Sequence, residues 1–115
     1  MTRGELWWAD FGIPFGSEPG YKRPVIIIQN DFFNNSKINT TIVIPLTTNL
    51  ILAEAPGNII ITKHDSKLKR DSVITISQIE VIDRQRLIEK ITKIDRTIIE
   101  EIENNILFIL GIRKV

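Results

Sequence analysis

The sequence predicts an α+β fold that is mainly β, a small SH3-like β-barrel followed by one C-terminal α-helix. Three observations predict it. Short runs rich in Val, Ile, Trp and Phe recur between residues 5 and 82, and Gly, Pro, Asn or Asp separate them. From Ile98 the period changes, and Ile98, Ile102, Ile106, Ile109 and Leu110 fall at helical spacing. The chain has 115 residues and no internal repeat, so it reads as a single domain over 1–115. A chain of this length buries roughly 60–70% of its unfolded surface, enough for a core without staples.

The elements follow in order. ELWWADF, residues 5–11, suits a first strand because it is rich in aromatics. Trp7 and Trp8 are adjacent and therefore point to opposite faces. One belongs in a core, and the other serves core, interface or base stacking. Residues 12–23 hold three glycines and two prolines and read as a long loop. Pro24 to Gln29 is a second strand, and its unbroken PVIII suits burial on both faces. NDFFNNSK, residues 30–37, is a connector with room for a short helix. TTIVIPL, residues 40–46, is a third strand, with Pro45 near its end as at a bulge or an edge. After a Pro56-Gly57 turn come a fourth strand at 58–62, a fifth at 72–76, a short sixth at 80–82 and a fragment at 90–92. Asp95 is the expected N-cap of the final helix over 95–112, and Gly111 sits where a C′ residue belongs.

Composition removes several chemistries. There is no cysteine, which excludes disulfides, thiolate catalysis and Cys-based zinc sites. His64 is the single histidine and lies in a basic stretch, where an exposed structural residue is the plainer reading. No DxD, HExxH, GxxxxGK[ST] or GxGxxG is present, so metal hydrolysis and nucleotide binding lose their usual equipment. Ser17 in GSEPG is not a nucleophile elbow, because Pro19 intervenes and a strand follows. Neither a signal-peptide core nor a run of membrane-spanning length occurs, and the cytoplasm is the expected compartment. Net charge is +1, yet KHDSKLKR at 63–70 is basic and DRTIIEEIEN at 95–104 is acidic. From the charge run alone, the basic stretch reads as a solvated loop.

What remains is a set of polar residues at strand ends and adjoining loops: Glu18, Lys22, Arg23, Thr47, Thr48 and Gln78. Pro24 holds Arg23 extended. Its guanidinium fork suits a phosphate, and equally a weak surface pair with Glu18. Thr47 and Thr48 either end a strand or bind a ligand. Gln78, inside the apolar run VITISQIEVI, is either half-exposed or satisfied in a pocket.

Four blocks in order carry a resemblance to one family. RGELWWADFG, GSEPGYKRPVIIIQND, VIPLTTN and DSVITISQIEVIDRQRL together resemble the MazF/PemK toxins, the endoribonucleases of type II toxin–antitoxin pairs, and the C-terminal helix follows in the expected place. One departure stands out: this chain reads QIE, with Glu80, where relatives commonly read QIR.

The resemblance implies a MazF/CcdB-type barrel working as a homodimer. It implies metal-independent, cofactor-free, sequence-specific cleavage of single-stranded RNA. Arg23 and Thr47 fall on the family's catalytic pair, with Ser17, Lys22, Thr48 and Gln78 on the RNA-binding surface and GSEPG as a loop over the site. Such cleavage uses the 2′-OH as internal nucleophile and leaves 2′,3′-cyclic phosphate and 5′-OH ends. Because a guanidinium with a pKa above about 12 is a poor base, Glu18 is the alternative general base. An antitoxin with a disordered acidic C-terminal tail is the expected partner, and the complex is expected to bind its own operator DNA. The competing reading is a non-enzymatic toxin on the same fold that poisons DNA gyrase by binding it.

Overall fold

The computed structural model describes residues 1–13, 16–17 and 21–112. Glu18, expected over the site, lies outside the described residues. Seven strands form one antiparallel sheet: β1 (Glu5–Asp10), β2 (Lys22–Ile27), β3 (Thr40–Thr47), β4 (Ile59–Ile61), β5 (Ser72–Ile74), β6 (Glu80–Asp83) and β7 (Leu87–Lys93). Three helices join them: α1 (Asp31–Asn34), α2 (Lys63–Ser66) and the long C-terminal α3 (Arg96–Ile109). Sheet order is β4-β5-β3-β2-β1-β7, with β6 added to β3.

The expected closed barrel is not formed. Closure needs a ladder between the terminal strands. Among the described residues β7 pairs only with β1 and β4 only with β5. The separate strands expected at 72–76 and 80–82 are present as β5 and β6, with a 3-10 turn at Ile76–Gln78 between them. Both pieces lie along the same edge of β3, β6 against Thr40–Val43 and β5 against Leu46–Thr47. Two short strands sharing one edge leave too little ladder to wrap the sheet round. Pro45, which has no N–H to donate, sits in the gap between them. Its carbonyl accepts from the Thr75 N–H and the Thr75 hydroxyl.

Other boundaries shift for local reasons. β2 starts at Lys22, because Lys22 and Arg23 already pair with Asp10 and Ala9. β7 is seven residues long rather than a fragment at 90–92, and its exposed charges Glu89, Lys90 and Lys93 suit an edge strand. The basic stretch at 63–70 is not a plain loop. Thr62 caps α2 by accepting from the Asp65 N–H at 3.3 Å, and Lys67 ends it in the left-handed region at φ 63°.

The sheet buries apolar side chains on both faces. On one, Leu6, Ile26, Ile44, Leu46 and Ile74 pack with Ile99 and Ile102 of α3. On the other, Ala9, Val25, Ile27, Val43 and Ile82 pack with Trp7, Phe11 and Leu87. Asp95 holds the N-cap position of α3 but makes no cap bond there, and instead accepts from the Thr97 hydroxyl. Gly111, at φ 73°, closes α3 in a Schellman motif. Its N–H donates to Phe108 and that of Ile112 to Leu107. No helix among the described residues is long and apolar enough to cross a membrane.

Candidate active site

The functional geometry follows from strand register. β2 and β3 pair Val25 with Pro45 and Ile26 with Ile44. Continuing that register by two residues sets Arg23 opposite Thr47. Thr47 in turn pairs with Val73 of β5, whose first residue is Ser72. Three strands thus finish at one place, and the turn that feeds β5 arrives there too. A cavity of about 490 Å³ opens at this corner.

Its lining divides into two kinds of surface. Trp8, Pro24, Leu46, Leu68 and Ile91 form an apolar wall. By strand alternation Trp8, Pro24 and Leu46 continue the helix-covered face that Leu6, Ile26 and Ile44 begin. The polar part is Lys22, Arg23, Thr47, Thr48, Lys67, Lys69, Arg70 and Ser72. Among the described residues of this lining five are cations and none is a carboxylate, so their charge is strongly positive although the chain is nearly neutral. The three ion pairs among the described residues, Arg3–Glu103, Lys90–Glu5 and Arg96–Glu100, use none of the cavity cations.

Arg23 carries the strongest chemical signal. Its Nε is buried and has no hydrogen-bond partner among the described residues. A buried donor left unsatisfied costs about 1–3 kcal/mol, and an anion entering the cavity removes that cost. Across the register, Thr47 Oγ1 accepts from the Asn49 N–H at 3.2 Å. That bond occupies a lone pair and leaves the hydroxyl proton to be donated outward. Tyr21, immediately before Lys22, is held at φ 58°, a conformation that a bulky side chain adopts at a cost and that clusters at functional sites.

The sequence-derived residues divide clearly. Arg23, Thr47, Lys22 and Thr48 come together in the cavity. Ser17 is an exposed turn residue outside its lining. Gln78 ends the 3-10 turn between β5 and β6, half-buried and also outside the lining. Glu80, the departure from the family pattern, pairs with Val43 in the middle of β3 and does not line the cavity. Lys67, Lys69 and Arg70 are the residues that sequence reasoning missed as a site. Their place just before a strand that ladders onto Thr47 was the available signal. His64 is exposed on α2.

Comparison with known proteins places the chain in a family. The family model describing PemK-like, MazF-like toxins of type II toxin–antitoxin systems matches residues 2–110. This chain belongs to that family. Among curated relatives, Endoribonuclease MazF2 of Mycobacterium bovis is 33% identical over 115 residues, covering 100% of this chain and 96% of the relative. Endoribonuclease MazF6 of Mycobacterium tuberculosis matches to the same extent. Among solved structures, a mycobacterial endoribonuclease in complex with its cognate antitoxin superposes with a TM-score of 0.79 at 17% identity, covering 100% of this chain and 99% of that one. MazF of Deinococcus radiodurans gives a TM-score of 0.79 at 21% identity, covering 96% of each chain. At these identities the superpositions establish the shared fold.

Proposed function

We propose that this MazF-family toxin is an endoribonuclease that cleaves single-stranded RNA at the Arg23–Thr47 corner. The observation that carries the reading is the buried Nε of Arg23, which has no hydrogen-bond partner among the described residues, in a cavity whose charged lining among those residues is entirely cationic. Such a corner is built for an anion, and a phosphodiester places an oxygen where that donor points.

The chemistry follows from the groups present. The ribose 2′-oxygen attacks the adjacent phosphorus as its proton leaves, and the bond from phosphorus to the 5′-oxygen breaks as that oxygen gains a proton. The products are a 2′,3′-cyclic phosphate and a 5′-OH. Arg23 holds the charge that develops on the non-bridging oxygens, where a preorganised donor is worth more than in water. Thr47 donates its hydroxyl to a phosphate oxygen. Glu18 is the carboxylate nearest in sequence to Arg23 and serves as base for the 2′-OH in this scheme. DNA, which lacks the nucleophile, is inert. Ser17 and Gln78, outside the cavity, contact the strand further along, as Lys22 and Thr48 do within it.

A relative of this fold is known in complex with its antitoxin, and an antitoxin with an acidic disordered tail fits this corner by charge. The toxin works as a cytoplasmic homodimer that its antitoxin holds inactive, and the complex binds operator DNA. The test is incubation of the purified chain with a long RNA in EDTA, with the ends mapped and Arg23→Ala run beside it. Cuts at a short recurring sequence, lost in a folded Arg23→Ala variant, are expected. A folded chain that cuts none of several RNAs, or a variant that cuts as fast as the wild type, overturns the reading.

A further inference from the structure

The turn from Lys67 to Arg70 lines the cavity and has no part in the chemistry derived above. Lys67, Lys69 and Arg70 are exposed, line the same cavity as Arg23, and make no ion pair or side-chain hydrogen bond among the described residues. We propose that this turn is a second phosphate subsite, which holds the phosphate neighbouring the scissile one and so sets how tightly the RNA strand binds. The proposal rests on the ribonuclease reading for the identity of its ligand.

The turn is built rather than merely basic. Ser66 is fully buried and its hydroxyl oxygen accepts from the Leu68 N–H at 3.1 Å. Leu68 packs against the main core, which anchors the turn between its two lysines. Lys67 lies at φ 63°, which reverses the chain at the end of α2. Asp71 accepts from the Lys63 N–H at 2.8 Å, and the Ser72 hydroxyl donates to the Arg70 carbonyl at 3.3 Å. Asp71 is therefore engaged with the backbone and does not line the cavity beside the cations. Three like charges carried within four residues of an anchored backbone repel one another, and a phosphate between them relieves that repulsion. Arg23 and Thr47 line the same cavity, so a strand whose scissile phosphate rests on them has this turn within the same space for a neighbouring phosphate.

The test is a binding cycle with a short RNA that carries the mapped cut site, blocked by a 2′-deoxy sugar at the cut. Three forms are compared: fully charged, and with a neutral methylphosphonate on either side of the scissile phosphate. The protein variant is Lys67→Asn combined with Lys69→Ala, since Asn tolerates the left-handed conformation at position 67. The double variant should bind the charged RNA roughly tenfold more weakly, a typical loss for charge-assisted contacts. Its slope of log affinity against log salt should fall by about 0.7, the value for one single-strand phosphate. One of the two methylphosphonates should weaken the wild type to a similar degree and leave the double variant nearly unaffected. Losses that multiply in the double variant, or unchanged affinity and salt slope, overturn the subsite. Cleavage of the unblocked RNA by the wild type is scored separately, so failure of the ribonuclease reading shows there and failure of the subsite shows in the binding cycle.

Discussion

Protonating Glu5 should loosen the strand pair that carries one wall of the cavity. Glu5 is buried on β1, and its carboxylate gathers three donors. The Thr2 N–H reaches Oε1 at 2.8 Å, Trp7 Nε1 reaches the same oxygen at 3.0 Å, and Lys90 Nζ on β7 reaches Oε2 at 3.0 Å. Burial pushes the carboxyl up, but the bonds from Trp7, Thr2 and Lys90 together outweigh it and lower its pKa from 4.5 to about 2. A depressed folded-state pKa means that the ionised carboxylate stabilises the fold above the unfolded value of 4.5. That contribution is lost as pH falls from 4.5 through about 2. At about 1.4 kcal/mol per unit, the difference amounts to about 3 kcal/mol. The variant is Glu5→Gln, which keeps an acceptor for Trp7 and loses the charge facing Lys90. Denaturant unfolding of both proteins at equal concentration from pH 7 to pH 2 reads the effect. The wild type should exceed the variant by about 2–3 kcal/mol at pH 7, and the gap should close through the acid range. A gap that stays constant between pH 6 and pH 2 refutes the reasoning, because it shows that ionisation of Glu5 contributes nothing. Since Trp8 and Ile91 lie on these two strands, the same titration reports on the cavity wall.

Two further outcomes follow from the geometry. Thr47→Val keeps the shape of the side chain but removes the hydroxyl, so RNA cleavage should fall about 10²–10³-fold while the denaturation midpoint changes little, read by single-turnover cleavage and unfolding curves. Gly57→Ala should destabilise the fold by about 1–3 kcal/mol, because Gly57 sits at φ 89° and a Cβ there would lie 2.6 Å from Ile109 Cδ1. Adding Ile109→Ala should recover the steric part, and an additive loss in the double variant counts against the clash.

How much was legible depended on how local the cause was. The C-terminal helix was readable because its period, its capping glycine and its charges all lie within one stretch, from Asp95 to Ile112. The strands at 5–10, 22–27 and 40–47 were readable because their β-branched and aromatic runs end at turn residues. Arg23 and Thr47 could be singled out as types suited to a phosphate, and the resemblance named them as a pair. Their meeting depended on register, which is a property of two strands and not of either one. The break at Ile76–Gln78 agrees with the two separate strands read at 72–76 and 80–82, and what no single stretch could show is that both strands share one edge of β3. That break also leaves the sheet open.

The sequence by itself determined the family, the order of the elements and the residue types able to handle a phosphate, because those are written in contiguous blocks. Tertiary structure alone decided that Lys67, Lys69 and Arg70 of the basic stretch at 63–70 line the same cavity as Arg23. Read along the chain, the seven charged and polar residues of that stretch are groups that water would satisfy, with Leu68 the one apolar residue among them. Once β5 ladders onto Thr47, the turn before it is carried to the cavity that Arg23 lines, and its cations share that space with the Arg23 guanidinium. The physical reason is that electrostatic function depends on distance through space, and space is set only when the strands have paired.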